Sequence, residues 1–359
     1  MQTFKLTRAQ IGVYFECMED PASTMYNIAF SLPLFKGIDI DRFAGAVAAV
    51  TLKHPALFVT FREEKGIPVM AVDDSFKEAQ LKGRDAIEIK RSSYDSIERA
   101  KREFVRPFDL KRGPLYRFEI CETKEGYTFL LDVHHLVFDG TSLRLFYNQI
   151  AKAYAGEDIQ DETKGLFDIA LFEETIEETD EYKAASAFFD DKLSDVDFDS
   201  LLISDLPDKS SAGPADEGIY NAPEFSALSK DEIKKFTKEN GITESTFFMS
   251  AFAYALAEYS AGGSCAFVTA SSGRHKRNLE SAVGMFVKTM PFFYSFKEDL
   301  KIADNLRDIQ KNYYEILSHD CIYFGDLVQK YAANADVYFA YQGRLLSEVE
   351  IDVNVSCPQ

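Results

Sequence analysis

The stretch LLDVHHLVFDGTS, which ends at Ser142, constrains the fold more than any other part of the chain. Its apolar lead predicts a β-strand that ends at two adjacent histidines, His134 and His135. Asp139 and Gly140 predict a turn, and apolar residues then repeat at the spacing of an amphipathic helix. These residues are Leu143, Phe146, Tyr147, Ile150 and Tyr154. The local prediction is strand, histidine, turn and helix.

The two histidines are not equivalent. Successive side chains of a strand point to opposite faces of the sheet, so His134 and His135 cannot both enter one site. For the same reason the pair cannot chelate one metal ion, and no third ligand is spaced nearby. We therefore predict one working imidazole and no metal site. The other histidines stand alone and are expected to be structural: His54, His275 and His319.

Composition excludes several classes of function. The chain has 359 residues and a formal net charge of −19, so we expect no nucleic acid partner, because phosphate binding needs a basic face. No apolar run reaches the length of a transmembrane helix, and no signal peptide opens the chain, which favours a cytoplasmic protein without membrane contact. The five cysteines are scattered and contain no CxxC pair, which argues against a disulfide framework.

Alternation of strand and helix patterns along the whole chain predicts two α/β lobes, each an α+β two-layer structure in which helices back a sheet. The acidic stretch 156–164 reads as a linker, so we place the lobes at 1–160 and 161–359. Helices are predicted at 6–18, 39–54, 93–105, 166–193, 244–259 and 305–318, with a further helix capped by Ser229. Strands are predicted at 26–35, on both sides of the turn 63–66, at 265–270, and in VKTMPFFYSF, DVYFAYQ and VEIDVNV.

The motifs occur in an order that resembles one known family. HHLVFDG resembles the HHxxxDG signature of condensation domains in nonribosomal peptide synthetases. LTRAQ, KHPALFVTF and PFDLKRGPLYR precede it and resemble that family's SxAQ, RHExLRTxF and PFDLxxGPLxR motifs. SSGR and VGMFVKTMP follow it and resemble SGR and GxFVNTxP. The resemblance spans 6–343 and extends over nearly the whole chain.

The resemblance implies a fold and a set of partners. Condensation domains have two chloramphenicol-acetyltransferase-like lobes arranged as a V, with the active site in the tunnel between them. They act as acyltransferases: the amine of an acceptor aminoacyl group attacks a donor acyl or peptidyl thioester. Both substrates ride on phosphopantetheine arms, so the implied partners are donor and acceptor peptidyl carrier domains and an adenylation domain of the same assembly line. No cofactor is expected on the domain itself.

The resemblance also implies roles for single residues. His135 matches the family's catalytic second histidine, and the choice between general base and positioning group stays open. Asp139 is expected to form a buried ion pair with Arg274 of SSGR that fixes the histidine turn. Gly140 is expected to allow a tight turn and to offer its N–H to the oxyanion, while His134 points to the opposite face.

Departures from the family pattern keep other functions open. Phe58 stands where the family has an arginine, and Lys288 replaces the asparagine of FVNT. The similarity also ends soon after DVYFAYQG, from which we expect a C-terminally truncated second lobe. The alternatives are an epimerisation domain, a coenzyme A-dependent acyltransferase of the same fold, and a non-catalytic domain that recruits a partner. Cyclisation domains are disfavoured because they carry aspartates in place of the histidines.

Overall fold

The computed structural model describes residues 2–72, 75–194, 196, 228–259, 263–275, 277–297, 299–331 and 337–343. These residues fall into two compact units, the first drawn from 1–179 and 272–288 and the second from 180–271 and 289–343. Residues 161–179, which the sequence prediction assigned to the second lobe, group with the first unit. No helix within the described ranges combines the length and the apolar character needed to cross a bilayer.

The first unit contains one antiparallel sheet, one mixed sheet and the helices that cover them. Its strands are β1 (Gln2–Lys5), β2 (Asn27–Pro33), β3 (Val59–Glu64), β4 (Ile67–Val72), β5 (Ile89–Ser93), β6 (Tyr116–Thr123) and β7 (Gly126–His134). Its helices are α1 (Arg8–Glu19), α2 (Ile40–Thr51), α3 (Ser75–Lys82), α4 (Ile97–Phe104), α5 (Gly140–Ala155) and α6 (Leu166–Glu173). The strand orders are β2-β7-β6-β5 and β1-β4-β3.

Side-chain alternation on β7 explains how the larger sheet is covered. Phe129, Leu131 and Val133 belong to the main hydrophobic core, which includes residues of α2 and α5. Leu130 points to the other face and packs against Phe104 of α4. The strand is therefore buried on both faces, and its last residue, His134, lies on the α4 side of the sheet by the same alternation.

The second unit is a smaller sheet surrounded by helices. Its helices are α7 (Asp180–Leu193), α8 (Lys230–Asn240), α9 (Glu244–Tyr259), α10 (Ile302–Ser318) and α11 (Phe324–Tyr331). Its strands are β8 (Ser264–Ser271), β9 (Lys288–Ser295) and β10 (Tyr338–Phe339), ordered β10-β8-β9. Phe267 and Phe292 stack in its core with ring centroids 4.7 Å apart. Ser229 caps α8 and exchanges hydrogen bonds with Glu232, which confirms the predicted capping box.

Several sequence predictions need correction. The helix predicted at 166–193 is broken, because Thr175 and Thr179 leave helical backbone angles around a short 3-10 turn, Ile176–Glu178. Threonine loses side-chain freedom in a helix and competes for its backbone hydrogen bonds, so a break at this pair is reasonable. The helix predicted at 93–105 starts only after Ser96, because Ser93 ends β5 and Ser96 caps the helix. The loop at 205–218 and the strand VEIDVNV lie outside the described residues.

Candidate functional site

β7 delivers both histidines to the same end of the larger sheet. It pairs with β2 up to Asn27 and His134, and the chain then turns through the 3-10 helix His135–Val137. The backbone N–H of His134 donates to Leu115 O at 2.9 Å, and that of His135 donates to Tyr26 O at 2.8 Å. Backbone hydrogen bonds to two different segments therefore fix the main chain of both histidines.

The His134 ring is fully engaged by its surroundings. Its Nδ1 accepts a hydrogen bond from the Leu136 N–H at 3.2 Å, so in the neutral ring the proton sits on Nε2. Nε2 faces the Cys17 Sγ at 3.6 Å, and the ring stands edge-on to Phe108. Burial and the neighbouring His135 lower the pKa of His134 from 6.5 to about 4. His134 is thus a neutral, packed residue at neutral pH.

The His135 ring has no such partners. The residue is half-buried, and its Nδ1 is enclosed without a hydrogen-bond partner among the described residues. The ring of Tyr26 lies edge-on to it, with centroids 6.3 Å apart. The two adjacent histidines therefore differ in their hydrogen bonding: both ring nitrogens of His134 have a partner, and the ring of His135 has none among the described residues.

The carboxylate of Asp139 organises the turn after the histidines. It caps α5 by accepting the Ser142 N–H at 2.8 Å. Arg274 donates to both of its oxygens, at 2.7 and 3.0 Å, in a bidentate pair. Asp139 is 1% exposed and Arg274 is 3% exposed, so the pair is buried. The ion pair predicted from the sequence is present, and it fixes the start of α5.

The segment 272–288 brings Arg274 to this turn and is itself held there by backbone bonds. The Phe286 N–H donates to Asp139 at 3.0 Å, and the Gly284 N–H donates to the Ser142 hydroxyl at 3.1 Å. Ser142 also accepts from Arg274 at 2.9 Å. We did not predict a role for Ser142, although its place three residues after the helix cap was a usable signal.

Gly273 lets the two ends of segment 272–288 pack closely against each other. Its φ of +67° lies in the left-handed region, and a Cβ built there would stand 2.0 Å from the carbonyl oxygen of Phe286. The guanidinium of Arg274 lies over the Phe286 ring, 4.6 Å from its centroid. Any side chain at this position would clash with the Phe286 backbone, which explains the glycine of SSGR.

Gly140 differs from its prediction. It is the first residue of α5, is exposed, and is absent from the residues with positive φ, so the turn does not use glycine's conformational freedom. Asp139 makes the turn instead, with extended backbone angles and a capping side chain. As the first helical residue, Gly140 has an N–H without an intrahelical acceptor.

A second polar cluster lies on the His134 face of the sheet. Asp132 is fully buried and accepts hydrogen bonds from Arg117 at 2.8 Å and from Asn27 at 2.9 Å. Burial raises the pKa of Asp132 to about 6, although the Arg117 charge opposes the shift. Arg117 also stacks on Phe108 and donates to the carbonyl oxygens of Arg106 and Pro107, the latter at 3.2 Å. The cluster therefore holds in place the PFDL segment, whose Phe108 contacts the His134 ring.

The two departures from the family pattern have different surroundings. Phe58 is buried and packs edge-to-face on Tyr116, with centroids 6.1 Å apart, so it serves the core. Lys288 lies near Glu173, whose carboxylate accepts the Arg8 N–H at 2.6 Å. Burial raises the pKa of Glu173, and the charge of Lys288 opposes that shift.

The chain is similar in sequence to known synthetases. The chain is 25% identical over 337 residues to bacitracin synthase 3 of Bacillus licheniformis, and 27% identical over 335 residues to tyrocidine synthase 3 of Brevibacillus parabrevis. Each match covers 93% of this chain and 5% of the relative, so the chain spans a small part of these synthetases.

Solved structures agree on the fold. The first condensation domain of the calcium-dependent antibiotic synthetase matches with a TM-score of 0.74 and 18% identity, over 95% of this chain and 81% of that one. The condensation domain of the monacolin K polyketide synthase matches with a TM-score of 0.76 and 15% identity, over 96% and 79%. The chain therefore has the mixed helix and sheet, chloramphenicol-acetyltransferase-like fold predicted from its sequence. The profile of the condensation domain family matches residues 1–350, and the chain belongs to that family.

Proposed function

We propose that this domain forms amide bonds between carrier-bound substrates, with His135 as its catalytic residue. One observation carries the proposal: of two adjacent histidines, His134 is saturated by Leu136 and Cys17, whereas the His135 ring is uncommitted. A reacting imidazole needs a nitrogen that the protein does not already occupy, and among the described residues no hydrogen bond holds the half-buried His135 ring, whereas both nitrogens of His134 have partners.

The chemistry is acyl transfer. The acceptor amine attacks the donor thioester carbon, the C–N bond forms, the C–S bond breaks, and the amine proton leaves as the donor thiolate is protonated. An α-amino group has a pKa of about 7.7–8.0, so part of it is neutral and nucleophilic near pH 7. His135 accepts the amine proton or holds the amine in line as a hydrogen-bond acceptor, and in-line positioning alone lowers the barrier substantially.

The start of α5 supports the oxyanion in this proposal. The Gly140 N–H has no intrahelical acceptor and lies at the positive end of the helix dipole, five residues after His135. A donor of this kind stabilises negative charge that develops on the thioester oxygen. Asp139 and Arg274 act as positioning residues, because they fix the helix start without facing the substrate.

The partners follow from the same proposal. Condensation requires a donor and an acceptor peptidyl carrier domain, each with a phosphopantetheine arm, and an adenylation domain that loads them. The curated relatives support this context, since they are named as bacitracin and tyrocidine synthases. The domain itself needs no bound cofactor for acyl transfer.

The test mixes the domain with a donor-loaded and an acceptor-loaded carrier and follows the dipeptidyl-carrier by intact-mass measurement. We expect product with the wild type and a loss of about 100-fold or more with His135→Ala. Equal product from His135→Ala would overturn the assignment of His135.

An epimerisation reading makes a different prediction in the same assay. One structural neighbour is named as the epimerization domain of the third module of tyrocidine synthetase B, with a TM-score of 0.67 and 16% identity. An epimerase would return the peptidyl-carrier with unchanged mass and inverted α-carbon, which chiral analysis of the released product detects. Carrier binding without either change would identify a non-catalytic recruitment domain.

A further inference from the structure

A further buried polar pair, His54 and Glu162, lies outside the motif that carries His135. His54, three residues after α2, donates from Nδ1 to Glu162 Oε1 at 2.5 Å. The side chain of His54 is 0% exposed and that of Glu162 is 8% exposed. We expected His54 to be an isolated structural residue, and Glu162 carried no sequence signal, because it lies in the acidic connector between α5 and α6.

The same oxygen of Glu162 also holds the segment that carries Arg274. Glu162 Oε1 accepts the Val283 N–H at 2.8 Å. Val283 directly precedes Gly284, whose N–H is bound by Ser142, and Phe286 follows with its N–H on Asp139. Three backbone N–H groups within four residues therefore donate to three side chains, and two of those side chains belong to the start of α5.

The other end of the pair reaches the middle of α5. His54 Nε2 lies 2.5 Å from Gln149 Oε1, and Gln149 sits in α5 beyond the Asp139 cap. The contacts form a closed circuit: Gln149 to His54, His54 to Glu162, Glu162 to the 282–286 backbone, and that backbone to Ser142 and Asp139. Every link is at least partly buried, so water competes weakly for these bonds.

We infer that Glu162 is a positioning residue for the condensation reaction, acting through segment 282–286. Its Oε1 bridges His54 and the Val283 N–H and so sets where Arg274 and the Phe286 N–H meet Asp139. This inference rests on the proposed function for its kinetic consequence, while its structural consequence stands without it. The essential element is the bridging oxygen, because one atom accepts both hydrogen bonds.

The neighbouring pair supplies a matched control. Lys53 binds Asp161 at 2.7 Å, one residue before His54 on one side and one residue before Glu162 on the other. The Asp161 side chain is 81% exposed, and exposed pairs contribute little to stability. Asp161→Ala therefore removes an adjacent carboxylate from the same connector without touching segment 282–286.

Amide hydrogen exchange read by mass spectrometry tests the structural consequence. In Glu162→Ala and Glu162→Asp the bridging oxygen is lost or withdrawn by about 1.5 Å, so we expect exchange in 282–286 to accelerate by about 10-fold or more. Glu162→Gln keeps an oxygen at that place, and we expect it and Asp161→Ala to stay within about 2-fold of the wild type. The peptides of β6 and β7, in the same unit as Glu162, report whether a variant is folded.

Kinetics separate positioning from general stabilisation. We expect Glu162→Asp to lower kcat by about 10-fold at unchanged KM for both loaded carriers, and Glu162→Gln to restore kcat. Unchanged exchange in 282–286 of a folded Glu162→Asp protein overturns the inference, as does a Glu162→Gln protein as impaired as Glu162→Asp. If the wild type itself forms no amide, the proposed function falls, and the exchange comparison still decides the role of Glu162.

Discussion

The two histidines of the motif have the same side chain and differ in their surroundings. His134 ends a strand that is buried on both faces, and its two nitrogens face a backbone N–H and a thiol. His135 begins the next turn, and none of the hydrogen bonds among the described residues involves its ring. Two identical, adjacent side chains therefore have different surroundings, and we propose the second of them for the chemistry.

The lowered pKa of His134 predicts a defined loss of stability in acid. Its pKa is 6.5 in the unfolded chain and about 4 in the fold, so between these values only the unfolded chain binds the proton. The stability is fully present above pH 6.5 and is lost as the pH falls toward 4. From pH 7.5 to pH 5 we expect the wild type to lose about 2 kcal/mol more than His134→Asn.

Urea unfolding of both proteins at the two pH values measures this difference. The variant cancels the titration of the other groups, which both proteins share. Parallel losses in the two proteins would show that His134 takes up its proton as readily in the fold as in the unfolded chain.

At the scale of elements, the start of α5 is where the fold and the proposed chemistry meet. Asp139 has φ −138° and ψ 177°, an extended conformation that a following proline favours. Proline is also well accepted as the first residue of a helix, where its missing N–H leaves no helical bond unmade. Gly140→Pro therefore removes one N–H with little cost to the helix.

We expect Gly140→Pro to lower kcat by about 100-fold while the free energy of unfolding is maintained, because a donor to the oxyanion is lost. Gly140→Ala keeps the N–H and is expected to stay near the wild-type rate. Both are compared in the carrier-loaded assay and by urea unfolding. Wild-type turnover by Gly140→Pro would remove Gly140 from the proposed oxyanion site.

The segment 272–288 offers a second test at this scale. Gly273 and Gly241 have nearly the same φ, +67° and +66°, but only Gly273 has backbone within contact distance of an added Cβ. Gly241→Ala is expected to cost about 1–2 kcal/mol for the left-handed backbone alone. Gly273→Ala is expected to cost about 1–3 kcal/mol more, because the Phe286 carbonyl must move while the Phe286 N–H is bound to Asp139.

Urea unfolding of the two glycine variants measures that increment directly. Equal losses would mean that segment 282–286 shifts freely, which contradicts its fixation by Asp139, Ser142 and Glu162. An additional fall in kcat for Gly273→Ala, measured on the folded fraction, would link the segment to catalysis.

At the scale of the whole molecule, sequence motifs predicted the centre of the first unit well. The strand, turn and helix around His135 follow in the predicted order, and the Asp139–Arg274 contact joins two motifs that are 135 residues apart. Local patterns were sufficient for the strand and the helix, because alternation and capping are short-range properties, whereas the pairing of Asp139 with Arg274 was expected from the resemblance to condensation domains. The hairpin of β3 and β4 and the capped helix α8 followed from the same rules.

The contacts that local patterns do not encode were missed. Glu162 reaches Val283 across 121 residues, and nothing in an acidic connector distinguishes the buried carboxylate from the exposed Asp161 beside it. The break between α6 and α7 was missed because the apolar spacing continues through Thr175. Burial and tertiary pairing decide these features, and a single sequence carries little information about either.

The most direct measurement compares His135→Ala with His134→Ala in one experiment: single-turnover amide formation on loaded carriers, corrected for the folded fraction from urea unfolding. We predict that His135→Ala loses about 100-fold or more in rate and keeps its stability. His134→Ala is predicted to lose about 1–3 kcal/mol of stability and to keep its rate within about 10-fold. A folded His135→Ala protein with the wild-type rate, or a stable His134→Ala protein without activity, would contradict the assignment of the working imidazole to His135.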